Sequence, residues 1–409
     1  MIVYLLFLIF VLIFIRDFKK GVIIYAPFKF MFSYGIPSYV GKIGLDALFT
    51  FLLFCVWLYK YRYKLENFPL KNSFVVAIIG ALIYALNPVF AITILLDKIS
   101  PYIYLLMFYW AIRNVKDVKL FVRTIVVYVL LLNINALFEW AGNNVIGNAL
   151  HNMMDDSTYW AQDVVSRGIF VRLHSFVPHS IGFGVENMMF FTFFLMMYLY
   201  GKHLCKTKII IFMMIWCLMG IYLSGSRSPL LGGVVILIPL ILNKKLFSRK
   251  NLVFAIASSL ILIMFAGGYL STMFESLSSD STTDMGGASS FDMRLVQLEY
   301  SVYYWMQNFW FGNGHSFDMF QGGRSSIFGA ESVWFPIMMR EGLIGIICYA
   351  YVYIDAFFKS RKATHRSICM FLILGWFIID SATNLPGLNI LLPLYFYVIY
   401  YKWECYRIQ

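Results

Sequence analysis

Apolar residues fall along this chain in long runs separated by short basic clusters, the pattern of a protein built to sit in lipid. A helix needs about 20 apolar residues to cross roughly 30 Å of hydrocarbon. Runs of that order lie at 2–15, 43–59, 73–90, 99–113, 120–140, 178–200, 208–224, 229–243, 251–270, 341–358, 367–384 and 388–401. The expected fold is an all-α polytopic membrane protein, one transmembrane domain over 1–409 with about 12 transmembrane helices and bounds of 11 and 13. Residues 16–42 leave the count open. Arg16, Lys19 and Lys20 look cytoplasmic, whereas a count of twelve from a cytoplasmic C-terminus puts them outside. If 21–40 also crosses, despite Pro27, Lys29 and Pro37, the count is thirteen and the N-terminus lies outside.

Two long polar excursions break the pattern, 141–177 and 271–335. Inside the second, residues 294–309 return to a helical period, with Leu295, Leu298, Val302, Trp305 and Phe309 on one face and Arg294, Gln297, Ser301 and Asn308 on another. An amphipathic helix flanked by polar sequence is expected to lie along the membrane surface. Gly312-Asn313-Gly314 ends it, and Gly342 and Gly345 are expected to open the next span.

Composition sharpens this picture. With 61% of its residues apolar and 13% charged, the chain falls outside the range of soluble globular proteins, so no second soluble domain is expected. The net charge of +12 would suit nucleic acid were the basic residues spread over one surface. They are instead confined to turns between spans: Lys60/Arg62/Lys64, Arg113/Lys116/Lys119, Lys202/Lys206/Lys208, Lys244/Lys245/Arg249/Lys250, Lys359/Arg361/Lys362/Arg366 and Lys402/Arg407. Both long excursions lack lysine altogether. By the positive-inside rule the clusters are cytoplasmic and the excursions external, so the excess is topological and nucleic-acid binding is excluded as its explanation. None of the six cysteines lies in an excursion, so neither a disulfide framework nor a thiolate metal site is expected. The apolar start lacks a basic n-region and a small-residue cleavage site, which favours an uncleaved first span.

Three polar patches carry the candidate chemistry: 171–184, 223–232 and 271–345. In the second, Ser224-Gly225-Ser226-Arg227-Ser228-Pro229 joins two spans, with Ser228 and Pro229 suited to start a helix. Free N–H groups at a helix start and the planar donors of Arg227 together suit phosphate oxygens. A capped hairpin whose arginine reaches headgroups is the competing reading. Arg172, His174 and Ser175 precede Pro178 in the same manner, and two cationic helix starts on one side favour a diphosphate pocket. His174 and His179 read first as hydrogen-bonded structure. In the long excursion Arg294, His315, Arg324 and Glu331 stand out, with Glu331 the first candidate for a general base and His315 the second. Glu331 paired to Arg324 or Arg340 is the structural alternative. Glu139, Glu186 and Asp380 lie within spans, where charge is costly. No HExxH, Walker loop, GxGxxG or CxxC is present, so no metal and no cofactor is expected.

The Ser-Gly-Ser-Arg-Ser turn, the Arg294 segment closing in Phe311-Gly312-Asn313-Gly314, the run Glu341-Gly342-Leu343-Ile344-Gly345, and Arg172-Leu173-His174-Ser175-Phe176 before a span resemble the O-antigen polymerase and O-antigen ligase superfamily. That resemblance implies a multi-pass glycosyltransferase of the cell inner membrane that uses polyprenyl-diphosphate-linked oligosaccharides on the outer side. It further implies a product such as O-antigen of lipopolysaccharide, capsule or exopolysaccharide, and a chain-length regulator and an exporter as partners. Ligases of the superfamily carry a His-Asn pair about a dozen residues before the final glycines, where this chain has Glu331-Ser332. The departure favours polymerase over ligase. Arg172, Arg227, Arg294 and Arg324 would then hold the leaving diphosphate without a metal. An exporter of lipid-linked oligosaccharide is the alternative from another class, although exporters usually have short external loops.

Overall fold

The computed structural model describes residues 2–32, 45–61, 68–84, 92–151, 166–167, 170–177, 179–226, 228–241, 290–314, 332–363, 365–383 and 388–402. Helix dominates among these residues. In chain order the helices are α1 (Ile2–Arg16), α2 (Phe18–Phe32), α3 (Leu45–Tyr61), α4 (Lys71–Tyr84), α5 (Ile92–Ala111), α6 (Val115–Trp140) and α7 (Val145–His151). They continue as α8 (Ser180–Tyr200), α9 (Thr207–Ser224), α10 (Ser228–Ile241), α11 (Ser290–Gln307), α12 (Trp334–Ser360), α13 (Arg366–Ala382) and α14 (Leu388–Lys402). A short antiparallel ladder, β1 (Ser166–Arg167) with β2 (Phe170–Val171), precedes α8. Among the described residues four helices, α6, α8, α9 and α12, are long and apolar enough to cross a membrane, and shorter apolar stretches occur at Phe7–Arg16, Lys71–Leu82 and Ile99–Ala111. The protein is a membrane protein. The expected span 251–270 lies outside the described residues.

The undecided segment after residue 16 becomes a helix that folds back on α1. Phe10 meets Tyr25 at 5.0 Å and Phe28 at 5.1 Å between ring centroids. In a straight helix, residues so far apart in sequence would be more than 20 Å apart, so α1 and α2 form a hairpin turning at Asp17. Lys19 Nζ at that turn pairs with Asp117 Oδ2 at 2.7 Å. Asp117 also completes a capping box with Asn114, which starts α6 at Val115, ahead of the residue 120 expected from hydropathy alone. The α1–α2 turn therefore shares one end of the molecule with the basic cluster Arg113/Lys116/Lys119. Tyr61 at the end of α3 stacks toward Trp110 at 4.5 Å, and Lys402 Nζ donates to the carbonyls of Tyr109 and Ile112 at 2.7 and 2.8 Å. The ends of α3, α5 and α14 and the start of α6 thus meet at this basic end.

Buried α2 brings Lys29 into the interior, where it is 1% exposed. Its ammonium pairs with Asp46 of α3 and donates to Thr50 Oγ1 and Ser100 Oγ at 2.9 and 3.2 Å, while Tyr25 Oη donates to the other Asp46 oxygen at 2.8 Å. A buried lysine is tolerable only with such partners. Elsewhere small residues let helices close up. A Cβ on Gly375 would lie 2.8 Å from the Gly232 carbonyl, which brings α13 against α10.

The amphipathic helix appears as α11, with its polar face turned inward. Gln297 and Ser301 are fully buried, whereas Leu295, Leu298 and Val302 are exposed. An apolar face turned away from the protein suits contact with lipid. Beyond α11, residues 309–314 dock onto a break in α12. Gly342 has φ 65° and ψ −160°, so the helix that was expected to open there instead begins at Trp334 and is interrupted at this residue. A break strips backbone groups of their helical partners, and residues 309–314 replace them. Leu343 and Ile344 N–H donate to the Phe309 and Trp310 carbonyls at 2.9 and 3.3 Å; the Met339 and Arg340 carbonyls accept from Asn313 and Gly314 N–H at 2.7 and 3.1 Å. A Cβ at Gly342 would stand 2.6 Å from the Trp310 carbonyl and the Gly312 nitrogen. This region of φ and ψ is essentially restricted to glycine and costs other residues about 1–3 kcal/mol. Gly342→Ala is therefore expected to destabilise the purified protein by at least ~2 kcal/mol. Thermal unfolding followed by tryptophan fluorescence would show an earlier transition, and an unchanged transition would contradict the clamp.

Candidate functional site

At the end opposite the basic clusters, residues 172–177 lie between the last turns of α6 and the α9–α10 turn. The loop is held by a dense polar network. Ser175 is fully buried and has φ 59°, a left-handed conformation uncommon for a residue with a Cβ. Its N–H donates to Glu139 Oε2 at 2.6 Å and its hydroxyl to the Leu132 carbonyl at 2.6 Å. Its hydroxyl oxygen accepts from Asn135 Nδ2 at 3.2 Å and its carbonyl from Asn144 Nδ2 at 2.7 Å. The strained backbone is thus fixed from four directions. His174 N–H also donates to Glu139 Oε2, at 3.1 Å, and His174 Nε2 stands 3.2 Å from Oε1. His174 Nδ1 lies 2.9 Å from the Val177 carbonyl, which can only accept, so Nδ1 carries a proton.

Arg172 is the contact between this loop and the neighbouring helices. It is buried, donating from Nε to the Ser224 carbonyl at 3.3 Å and from Nη2 to Ser226 Oγ at 2.8 Å. Leu173 N–H donates to the Leu223 carbonyl at 3.0 Å. The turn that receives them is built locally. Ser224 ends α9 with its hydroxyl bonded to the Ile221 carbonyl, Gly225 takes the left-handed C-cap position at φ 57°, and Ser226 N–H returns to Ser224 Oγ at 3.2 Å. Then α10 starts at Ser228, one residue ahead of the Pro229 start expected, with Pro229 second in the helix. A Cβ on Gly184 of α8 would lie 2.9 Å from the Pro229 ring, so the second half of the first patch also packs on this turn.

Of the residues expected to form a site, the structure therefore brings Arg172 to Ser224 and Ser226. Arg294 is half-buried on α11, which packs on α12. Arg227, His315, Arg324 and Glu331 lie outside the described residues. His179 caps α8, accepting the Ile181 N–H on Nδ1 at 3.1 Å, which is the structural role expected of it. Glu186 is fully buried and accepts from Tyr128 Oη at 2.9 Å. Asp380, also buried, accepts from Tyr349 at 2.8 Å and from Tyr353, and its carbonyl accepts from Val333 N–H at 3.1 Å. That last contact ties the start of α12 to the end of α13. Among the described residues, no group of three or more His, Cys, Asp or Glu side chains is placed to hold a metal ion.

Residues 212–350 match a family model described as O-antigen ligase. This match bears out the resemblance read from the short motifs. No curated protein matches the chain. The matched stretch takes in most of α9, all of α10 and α11, and α12 past its break, so the α9–α10 turn and the Gly312–Gly342 clamp both lie inside it. Arg172 and Glu139 precede it in sequence and are brought to it by the fold.

The sequence marks Glu139 as a costly charge within a span but does not single out Asn135 or Asn144. A signal was present: Asn135 and Glu139 are four residues apart on one helix face near a span end, where unpaired polar groups are costly. Ser175→Ala removes a hydroxyl that serves Leu132 and Asn135 and leaves both wanting. The expected cost is about 1–3 kcal/mol. Thermal unfolding of the purified variant checks it, and the wild-type transition would contradict a network that depends on this side chain.

Proposed function

We propose that this protein is a repeat-unit polymerase of the cell inner membrane. It transfers a glycan from a polyprenyl-diphosphate donor to a second polyprenyl-diphosphate-linked repeat unit on the outer side. The observation that carries the reading is the contact of Arg172 with Ser224 and Ser226. It gathers two cationic motif segments at one helix start, at the end of the molecule away from the lysine clusters and on a turn inside the stretch matched by the O-antigen ligase family model. With the clusters cytoplasmic, this end faces outward. The α1–α2 hairpin, whose turn joins the basic end, supports thirteen crossings with the N-terminus outside over the count of twelve.

In this reading the acceptor hydroxyl attacks the donor's anomeric carbon, the bond from that carbon to the phosphate oxygen breaks, and the electron pair leaves on the diphosphate. Arg172 and Arg227, with Arg294 and Arg324 from the long excursion, stabilise that charge without a metal. Glu331 or His315 takes the hydroxyl proton. Arg172 also orients the turn that carries Arg227, so its role is positional as well as electrostatic. The acceptor class follows from Glu331-Ser332 standing where ligases have His-Asn. Ser332 accepts the Trp334 N–H at 3.4 Å just ahead of α12. A chain-length regulator and an exporter are the partners this pathway would require.

A second reading, transfer of the finished chain to a lipid acceptor, is favoured by the description of the matching family. Replacing Arg227 with Ala separates the outcomes. A polymerase variant leaves single repeat units on the cell surface and no long-chain ladder; a ligase variant leaves neither on the surface and accumulates long chains on the polyprenyl carrier. A normal ladder would overturn both. A cysteine added at the N-terminus is expected to react with an impermeant maleimide applied to whole cells, and labelling only after lysis would refute thirteen crossings.

A further inference from the structure

Glu139 stands on α6, a helix of 26 residues fixed at its start by a capping box and near its end by the loop it holds. Its carboxylate accepts two consecutive backbone N–H groups, from His174 and Ser175, and contacts the His174 ring. The same loop, one and two residues earlier, binds the α9–α10 turn through Leu173 N–H and both donating nitrogens of Arg172. The loop is thus a short strap. One edge is tied to α6 by Glu139 and the other to the turn by Arg172, and Ser175 between them is held in a left-handed conformation. A residue keeps an unfavourable φ only where its surroundings over-determine it.

An acidic side chain beside an anion site would repel the ligand if it faced it directly. Here the carboxylate is spent on backbone N–H groups and on imidazole, so its charge is taken up by the loop. We propose, building on the transferase reading above, that Glu139 is a positioning residue for the anion site. By capturing the 174–175 backbone it sets Arg172 against the turn and so holds the turn in the geometry that receives a diphosphate. The consequence is that loss of Glu139 weakens diphosphate binding although it removes a negative charge.

The test uses the full-length protein in lipid nanodiscs. Glu139→Gln keeps the size of the side chain but replaces the charged acceptor of both N–H groups with a neutral amide oxygen, whose bonds to them are weaker. Hydrogen–deuterium exchange is expected to quicken both in 172–177 and in 223–226. Binding of polyprenyl diphosphate, read by native mass spectrometry, is expected to weaken by about tenfold or more, since small misplacements of a binding group have large effects. The double variant with Arg172→Ala is expected to bind no worse than Arg172→Ala alone, because both changes release the same strap. Unchanged exchange in 223–226, tighter binding in Glu139→Gln, or losses that multiply in the double variant would each overturn the proposal. Should Glu139→Gln accumulate poorly, Glu139→Asp keeps the charge and shortens its reach, and the same two segments are expected to exchange faster. If the wild-type protein binds no polyprenyl diphosphate, the transferase reading fails, whereas the exchange result still decides whether Glu139 sets the turn.

Discussion

Backbone N–H and C=O groups in an apolar medium must find partners within the protein, and departures from regular helix in this structure answer to that constraint. The break at Gly342 removes helical partners from both sides of one residue, and residues 309–314 supply the replacements. Each part serves the other: the Phe309 and Trp310 carbonyls and the Asn313 and Gly314 amides find partners on α12 only because α12 is interrupted. The pairing fixes the end of α11 against α12 and so anchors the long second excursion. The same accounting explains the 172–177 loop, whose non-helical backbone is met by Glu139, Asn144 and the Leu223 carbonyl.

These two irregular segments both meet elements matched by the O-antigen ligase family model. One lies wholly inside the match, and the other reaches it from preceding sequence through Arg172. A cationic turn alone is common at a membrane surface. A buried arginine bonded to the serines of such a turn, beside a strained and fully satisfied loop, is a more specific arrangement, because each bond fixes a direction as well as a distance.

Much of the architecture was legible in the sequence because hydropathy and the positive-inside rule act over whole segments. The helices α3 to α6, α8 to α10 and α12 to α14 fall close to apolar runs, although α5, α6 and α12 begin earlier than those runs, and α10 opens at Ser228-Pro229, within one residue of the expected start. Hydropathy failed at α2, where Pro27 and Lys29 counted against a helix. What it could not weigh was Asp46, lying 17 residues away, which pairs with Lys29. It misjudged Gly342 for a similar reason, since a glycine that begins a helix and one that interrupts it look alike until the partner at 309–314 is known. In the site, the grouping of Arg172 with the Ser-Gly-Ser-Arg-Ser turn was readable from two matching helix-start patterns. The part played by Glu139 was only hinted at by Asn135 one turn before it, because the groups it mainly holds are backbone amides, which carry no residue signature.

The Lys29–Asp46 pair bears on how the chain is made. Either group alone in an apolar interior carries a cost of several kcal/mol, which their pairing and the hydroxyls of Tyr25, Thr50 and Ser100 offset. Because α2 emerges from the ribosome before α3, Lys29 must wait for Asp46. The first three helices therefore settle most readily as a unit, and membrane insertion at the N-terminus becomes a concerted event in which a later segment licenses an earlier one.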